Sequence, residues 1–171
     1  GAPLEELISV VAEMLSASQE FVREQMLERS ACSLRDITRF LRVYVWMARH
    51  LTAREAGGTP VREVLLASKG GRRHVKTALI MGLSYCYQAR LPQHLREVYL
   101  GVVVRAWAAM QVKRAGRRTV AAAGWLELSE KGFTETVSAV QHSFVQHMNL
   151  GDGIALNTAL LENLFMIVVS I

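Results

Sequence analysis

The sequence contains little proline, little cysteine and few charged residues. Only 3 of its 171 residues are proline and 20% are charged, whereas 51% are hydrophobic. This composition excludes a disordered chain, because such chains bury too little apolar surface to fold. The closing apolar run, 165–171, is shorter than the roughly 20 residues that a membrane-spanning helix needs. We therefore expect a packed chain without a membrane span, forming one domain or one domain with a piece of its neighbour.

Recognisable catalytic and metal-binding motifs are missing as well. The sequence has no G-x-x-x-x-G-K-[ST] phosphate loop and no acidic pair after a strand. Cys32 and Cys86 each lie in an apolar helical pattern, which favours buried reduced thiols and a cytoplasmic protein. His142 and His147 are five residues apart and so fall on different helix faces, which argues against a metal site. We expect no catalysis by this chain alone.

The net charge of +5 and a pI of about 9.6 favour an anionic partner, such as a nucleotide, nucleic acid, an acidic protein surface or lipid headgroups. Basic residues cluster in segments 69–76 and 112–118, both in predicted loops. Neither cluster has the interleaved aromatic residues that stack on bases. We therefore interpret them as solvated loop charge and consider nucleic acid an unlikely partner.

Apolar residues recur mainly at helical spacings of three and four. Residues 4–27 form one long helix or two short ones in this pattern, and a second helix runs to about residue 50. Its predicted apolar stripe consists of Leu34, Ile37, Leu41, Tyr44, Ala48 and Leu51, with arginines on the other side. Further helices are predicted over 75–90, 94–113, 128–148 and from 154 onward. Segment 52–76, with two Gly-Gly pairs, is predicted to be a loop containing a small helix.

The closing run FMIVVSI, 165–171, differs from the rest because it is rich in Val and Ile and apolar on both faces. That pattern is typical of a buried parallel strand. We predict the beginning of an α/β element that continues downstream, with a helix packed on the bundle as the alternative. The chain is thus predicted to be all-α, a helical bundle over 1–150, followed by a lead-in segment of the next module over 151–171.

The stretch SACSLRDITRF, 30–40, carries the most chemical information. Ser33 is a good N-cap, and Asp36 three residues later completes an S-x-x-D capping box. Arg35 then lies in the first helical turn, where its charge is unfavourable against the positive end of the helix dipole unless an anion is supplied. A phosphate contact at Arg35 is one interpretation. Pairing with a nearby carboxylate, or simple solvation, is the other.

Three segments in order, 21–47, 78–91 and 153–171, resemble the mysterin-type giant RING E3 ubiquitin ligases, which have a dynein-like AAA+ core. They read FVREQMLERSACSLRDITRFLRVYVWM, ALIMGLSYCYQARL and GIALNTALLENLFMIVVSI. The resemblance implies an AAA+ lid subdomain followed by the entry helix of the next module. It implies that Arg35 is the sensor-2 residue at the γ-phosphate of ATP, that Arg39 is a second nucleotide contact, and that Ser33 and Asp36 cap their helix.

The same resemblance implies ATP and Mg²⁺ as cofactors of the parent protein, with neighbouring AAA+ subdomains, ubiquitin and an E2 enzyme as partners. It also implies a cytoplasmic location with lipid-droplet association. The chain has no RING array of cysteines and histidines, so ubiquitin transfer would belong to other parts of the parent. Two alternatives stay open: a stand-alone helical interaction or nucleic-acid-binding domain, and a lid from another AAA+ family, such as the midasin-like proteins.

Overall fold

The structure is a computed structural model that describes residues 2–26, 33–53, 69–115, 127–150 and 154–170. These residues form six α helices and one short 3-10 turn, and none of them forms a strand. The helices are α1 (Ala2–Met26), α2 (Leu34–Ala53), α3 (Lys69–Cys86), α4 (Gln93–Ala115), α5 (Glu130–Val145) and α6 (Thr158–Ser170), and the 3-10 turn Gln88–Arg90 lies between α3 and α4. The predicted all-α helical bundle is confirmed. The division at residue 150 stays a prediction.

Two helix pairs dominate the packing. Helix α2 lies along α3, and α1 lies along α4, while α5 contacts α3, α4 and α6. Helices α2 and α3 pack tightly at Gly82, where a Cβ atom would lie 2.7 Å from Cε2 of the fully buried Phe40 ring. Because only glycine leaves room for this ring, the Gly82–Phe40 contact fixes the position of α2 on the bundle.

The face of α2 that enters the core differs from the predicted stripe. The buried residues are Phe40, Val43, Tyr44, Met47, Ala48 and Thr52. Leu34 is 81% exposed and Leu41 is 43% exposed, so the prediction is wrong for these two residues. Phe40 rather than Leu41 lies on the core face, and its ring packs against Gly82. Arg35, Arg39 and Arg42 lie on the exposed side of α2.

Two segments predicted as loops are partly helical in the structure: residues 69–74 of the first lie in α3, and residues 112–115 of the second lie in α4. The helix α3 continues through Gly70 and Gly71 although each glycine costs about 1 kcal/mol relative to alanine, because packing of the apolar part of a helix outweighs local propensity. The rest of the first predicted loop, 54–68, and the stretch 116–126 lie outside the described residues. The first basic cluster, 69–76, therefore lies in a helix rather than in a loop.

The strand predicted over the closing run is also wrong, and the helical alternative is confirmed. Helix α6 runs through Ser170 and buries Leu161 and Phe165, four residues apart, against the bundle. Val and Ile favour strands because they fit a pleated, half-buried surface, but no strand in the described part of the chain offers such a partner. Tertiary packing therefore overrides local propensity. None of the described helices combines the length and apolarity required to cross a bilayer.

Candidate anion-binding cleft

The first turn of α2 is organised by the carboxylate of Asp36. The backbone N–H of Ser33 donates to Oδ2 of Asp36 at 2.8 Å, and the Ser33 hydroxyl donates to the same oxygen at 3.3 Å. The N–H of Asp36 donates to the backbone carbonyl of Ser33 at 3.0 Å. One of the two reciprocal bonds of a capping box is therefore present, and the serine hydroxyl acts as a donor rather than as the expected acceptor.

Asp36 also forms an ion pair with Arg90, which follows 54 residues later in the 3-10 turn. Nη1 of Arg90 donates to Oδ1 of Asp36 at 2.6 Å. Partial burial by itself would raise the pKa of Asp36, but the bonds from Ser33 and the charge of Arg90 hold that pKa below its ordinary value. Both carboxylate oxygens of Asp36 thus have donors other than Arg35.

A cleft of about 700 Å³ opens beside this turn, between α2 and α6. Three arginines of α2 line one wall: Arg35, Arg39 and Arg42. Their spacing of four and three residues places them on one helix face, spread over about 10 Å along the axis. The other lining residues are Thr38, Val43, Trp46, Tyr85, Val168 and Val169. The cleft therefore combines a row of guanidinium groups with apolar and aromatic walls.

The three cleft arginines form no ion pair with any carboxylate in the described part of the chain. Asp36, the nearest acidic residue in sequence, is already held by Ser33 and Arg90. All three arginine side chains are exposed, and none of the residues lining the cleft is acidic. Of the two interpretations of Arg35, pairing with a carboxylate is thus absent among the described residues. The exposure of these side chains leaves simple solvation and contact with an external anion as the two interpretations of Arg35.

Aromatic rings of α2, α3, α5 and α6 pack together beside the cleft, and two of them, Trp46 and Tyr85, line it. The Phe144 ring of α5 lies 5.7 Å from Trp46 and 4.9 Å from His50, both on α2, and 5.9 Å from Phe165 on α6. The edge of the Tyr85 ring meets Phe165 at 6.2 Å. Such ring pairs contribute about 0.5–1.5 kcal/mol each beyond their area burial. They connect α2 to α6 through Phe144 of α5.

The predicted site residues fall into two groups in the structure. Arg35 and Arg39 line the same cleft, whereas Ser33 and Asp36 lie at the start of α2 outside the lining. Arg42 was not predicted as a site residue, although its spacing from Arg39 is the signal that finds it. Cys86 lies behind this region as a buried free thiol, as predicted, and burial raises its pKa to about 12. Cys32 lies outside the described residues.

The other aromatic residues and the histidines add no second site. Trp107 and Tyr87 are buried core residues, while Trp46 and Tyr85 are half-buried at the cleft, and Trp125 lies outside the described residues. No group of three or more metal-ligating side chains occurs among the described residues. The α2–α6 cleft is therefore the candidate functional site.

The sequence of this helical bundle is similar to segments of E3 ubiquitin ligases. The comparison confirms the resemblance to the mysterin-type ligases, since the match extends over 95% of the chain. The chain spans only about 3% of the length of the curated relatives that it matches.

The relatives are RNF213-type proteins. The chain is 28% identical over 164 residues to the E3 ubiquitin-protein ligase RNF213 of Mus musculus. It is 26% identical over 167 residues to RNF213 of Homo sapiens, and 24% identical over 168 residues to rnf213-beta of Danio rerio. No family model matches the sequence, and no solved structure matches it. The similarity shows which proteins this chain resembles, and its role is argued from the cleft.

Proposed function

We propose that this chain is an AAA+ lid subdomain of a mysterin-like E3 ubiquitin ligase, in which Arg35 acts as the sensor-2 residue for ATP and Arg39 and Arg42 extend the same phosphate-binding row. One observation carries the proposal: the two arginines that the resemblance selects line one cleft and have no ion-pair partner among the described residues. The ligase activity named for the relatives would reside in other parts of the cytoplasmic parent, together with ubiquitin and E2 binding.

The chemistry of the cleft fits a polyphosphate. A guanidinium group offers a planar fork of N–H donors that matches phosphate oxygens, and bonds between ionised partners are about twice as strong as neutral ones. Arg35 lies in the first turn of α2, where the helix dipole disfavours a cation and favours an anion. A bound γ-phosphate would therefore relieve the unfavourable position of Arg35 and accept bonds from its neighbours.

The same cleft lacks the groups that complete an ATPase. None of the described residues lining it is acidic, so Mg²⁺ would need ligands from elsewhere. The sequence also has no phosphate loop. ATP and Mg²⁺ would thus be held mainly by another subdomain of the parent, and this chain would supply arginines that stabilise the charge of the transferring phosphate. Movement of the lid would then couple the nucleotide state to the next module.

The proposal is tested by ATP turnover of the full-length protein that contains this segment. We expect Arg35→Ala to lower turnover at least about tenfold, which corresponds to about 1.4 kcal/mol of transition-state stabilisation. Arg49→Ala is the matched control, because Arg49 is an exposed arginine on the same helix that does not line the cleft. Turnover equal to wild type in both variants would refute the sensor-2 role.

The salt dependence of nucleic-acid binding distinguishes the lid from the alternative, a stand-alone domain that binds nucleic acid through its basic residues. A nucleic-acid binder loses affinity steeply as salt rises, because each neutralised phosphate releases counterions. We expect the isolated chain to show no appreciable DNA or RNA binding at physiological ionic strength. Tight DNA or RNA binding with a steep salt slope that is lost in Arg39→Ala would favour the alternative.

A further inference from the structure

A second pair of arginines, Arg90 and Arg96, lies at the junction of α3 and α4, outside the cleft lining. The side chain of Arg96 is three-quarters buried and makes four bonds. Its Nε donates to the carbonyl of Leu91 and its Nη2 to the carbonyl of Ala89, both at 3.1 Å. Its Nη1 donates to the two carboxylate oxygens of Glu162 at 3.1 and 3.2 Å. Arg96 thus ties the 3-10 turn to α6.

Arg90 lies between Ala89 and Leu91 in the chain, and its Nη1 atom forms an ion pair with Oδ1 of Asp36 on α2 at 2.6 Å. One short turn is therefore bonded to both walls of the cleft, to α2 through Asp36 and to α6 through Glu162. The carbonyls of Ala89 and Leu91 flank Arg90 directly, so a displacement of the turn would change the positions of both arginine contacts. We call the four residues that connect the turn to α2 and α6 the bracket: Asp36, Arg90, Arg96 and Glu162.

We infer that this bracket sets the separation of α2 and α6, and that its four members are positioning residues for the cleft arginines. The aromatic rings connect the two helices through Phe144, whereas the bracket connects Asp36 in the first turn of α2 to Glu162 of α6. The inference rests on the proposed function only where ligand binding is concerned, since the mechanical coupling of the two helices is independent of any ligand.

The experiment is amide hydrogen exchange of the 171-residue chain, read by mass spectrometry on peptides from α2 and α6. Asp36→Asn weakens the bracket on the α2 side and Glu162→Gln weakens it on the α6 side. Glu135→Gln is the control, because it breaks the exposed Lys131–Glu135 pair on α5 and removes one negative charge as the other two variants do. Exchange in α1 and α4 shows whether a variant has lost its overall fold.

The bracket predicts effects that cross the cleft. Glu162→Gln should accelerate exchange in the first turns of α2 as well as in α6, and Asp36→Asn should accelerate exchange in α6, which Asp36 does not contact. The expected change is about two- to fivefold, the range of a part-exposed ion pair. Glu135→Gln should change neither helix. Effects confined to the helix that carries the substitution would overturn the bracket.

Binding of inorganic triphosphate gives a second readout that separates this inference from the proposed function. If the wild-type chain binds triphosphate, Asp36→Asn and Glu162→Gln should weaken binding relative to Glu135→Gln, although neither residue lines the cleft. Equal affinity in all three variants would contradict the positioning role. Failure of the wild-type chain to bind triphosphate would count against the cleft as a phosphate site, and the exchange data would decide the bracket alone.

Discussion

Replacement of Gly82 by alanine tests the packing that positions the arginine helix. The added Cβ would lie 2.7 Å from Cε2 and 3.0 Å from Cδ2 of Phe40, well inside the normal separation of carbon atoms. Phe40 is fully buried, so its ring has no open space to enter. Overpacking of this severity costs up to about 3 kcal/mol, whereas the higher helix propensity of alanine contributes about 1 kcal/mol of stability.

The expected net loss in Gly82→Ala is therefore about 2 kcal/mol, equivalent to a fall of about 4–8 °C in the midpoint of thermal unfolding for a chain of this size. Circular dichroism measures that midpoint. The sign should reverse in a Phe40→Leu background, where the clash is removed and only the propensity gain remains. A midpoint in Gly82→Ala at or above that of wild type would refute the close packing of α2 on α3.

Four further predictions concern single polar groups. Tyr44→Phe should leave the free energy of unfolding unchanged or raise it by up to about 1 kcal/mol, because the buried Tyr44 hydroxyl has no hydrogen-bond partner among the described residues. Tyr99→Phe should lower it by about 1 kcal/mol through loss of the 2.9 Å bond to Ser18, and urea unfolding of the two variants compares them. Cys86 should resist iodoacetamide at pH 8 until the chain unfolds, because burial raises its pKa to about 12; peptide mapping that finds rapid alkylation in the folded chain would contradict this. The pKa of Asp36 is lower in the folded chain than its ordinary value of 3.8. The carboxylate therefore stabilises the fold above pH 3.8, and this contribution is lost as the pH falls through the folded-state pKa. Denaturation curves should accordingly show that the stability difference between wild type and Asp36→Asn shrinks at low pH.

The beginning of α2 could be predicted from sequence because the relevant interactions are local. Ser33 and Asp36 are three residues apart, and the bond between them depends on little else. Arg35 and Arg39 could be selected by resemblance, and Arg42 follows from the same helical spacing. The cleft itself could not be predicted, because its other wall is formed by Val168 and Val169 more than a hundred residues later.

The errors have a common physical cause in long-range packing. The closing run was assigned as a strand from its Val and Ile content, but α6 is held by contacts of Phe165 with rings on α3 and α5. The core face of α2 depends on the absence of a side chain at Gly82. Likewise, the ion pair between Asp36 and Arg90 joins residues 54 positions apart, which no local spacing rule can reveal.

In the proposed function, the arginines of the cleft bind the terminal phosphate of a nucleotide. The most direct measurement is an experimental structure of the full-length protein bound to a non-hydrolysable ATP analogue. We expect the guanidinium group of Arg35 to lie about 2.7–2.9 Å from a γ-phosphate oxygen, the distance of a charge-assisted hydrogen bond. A γ-phosphate held entirely by other subdomains, with the α2–α6 cleft facing solvent, would contradict it.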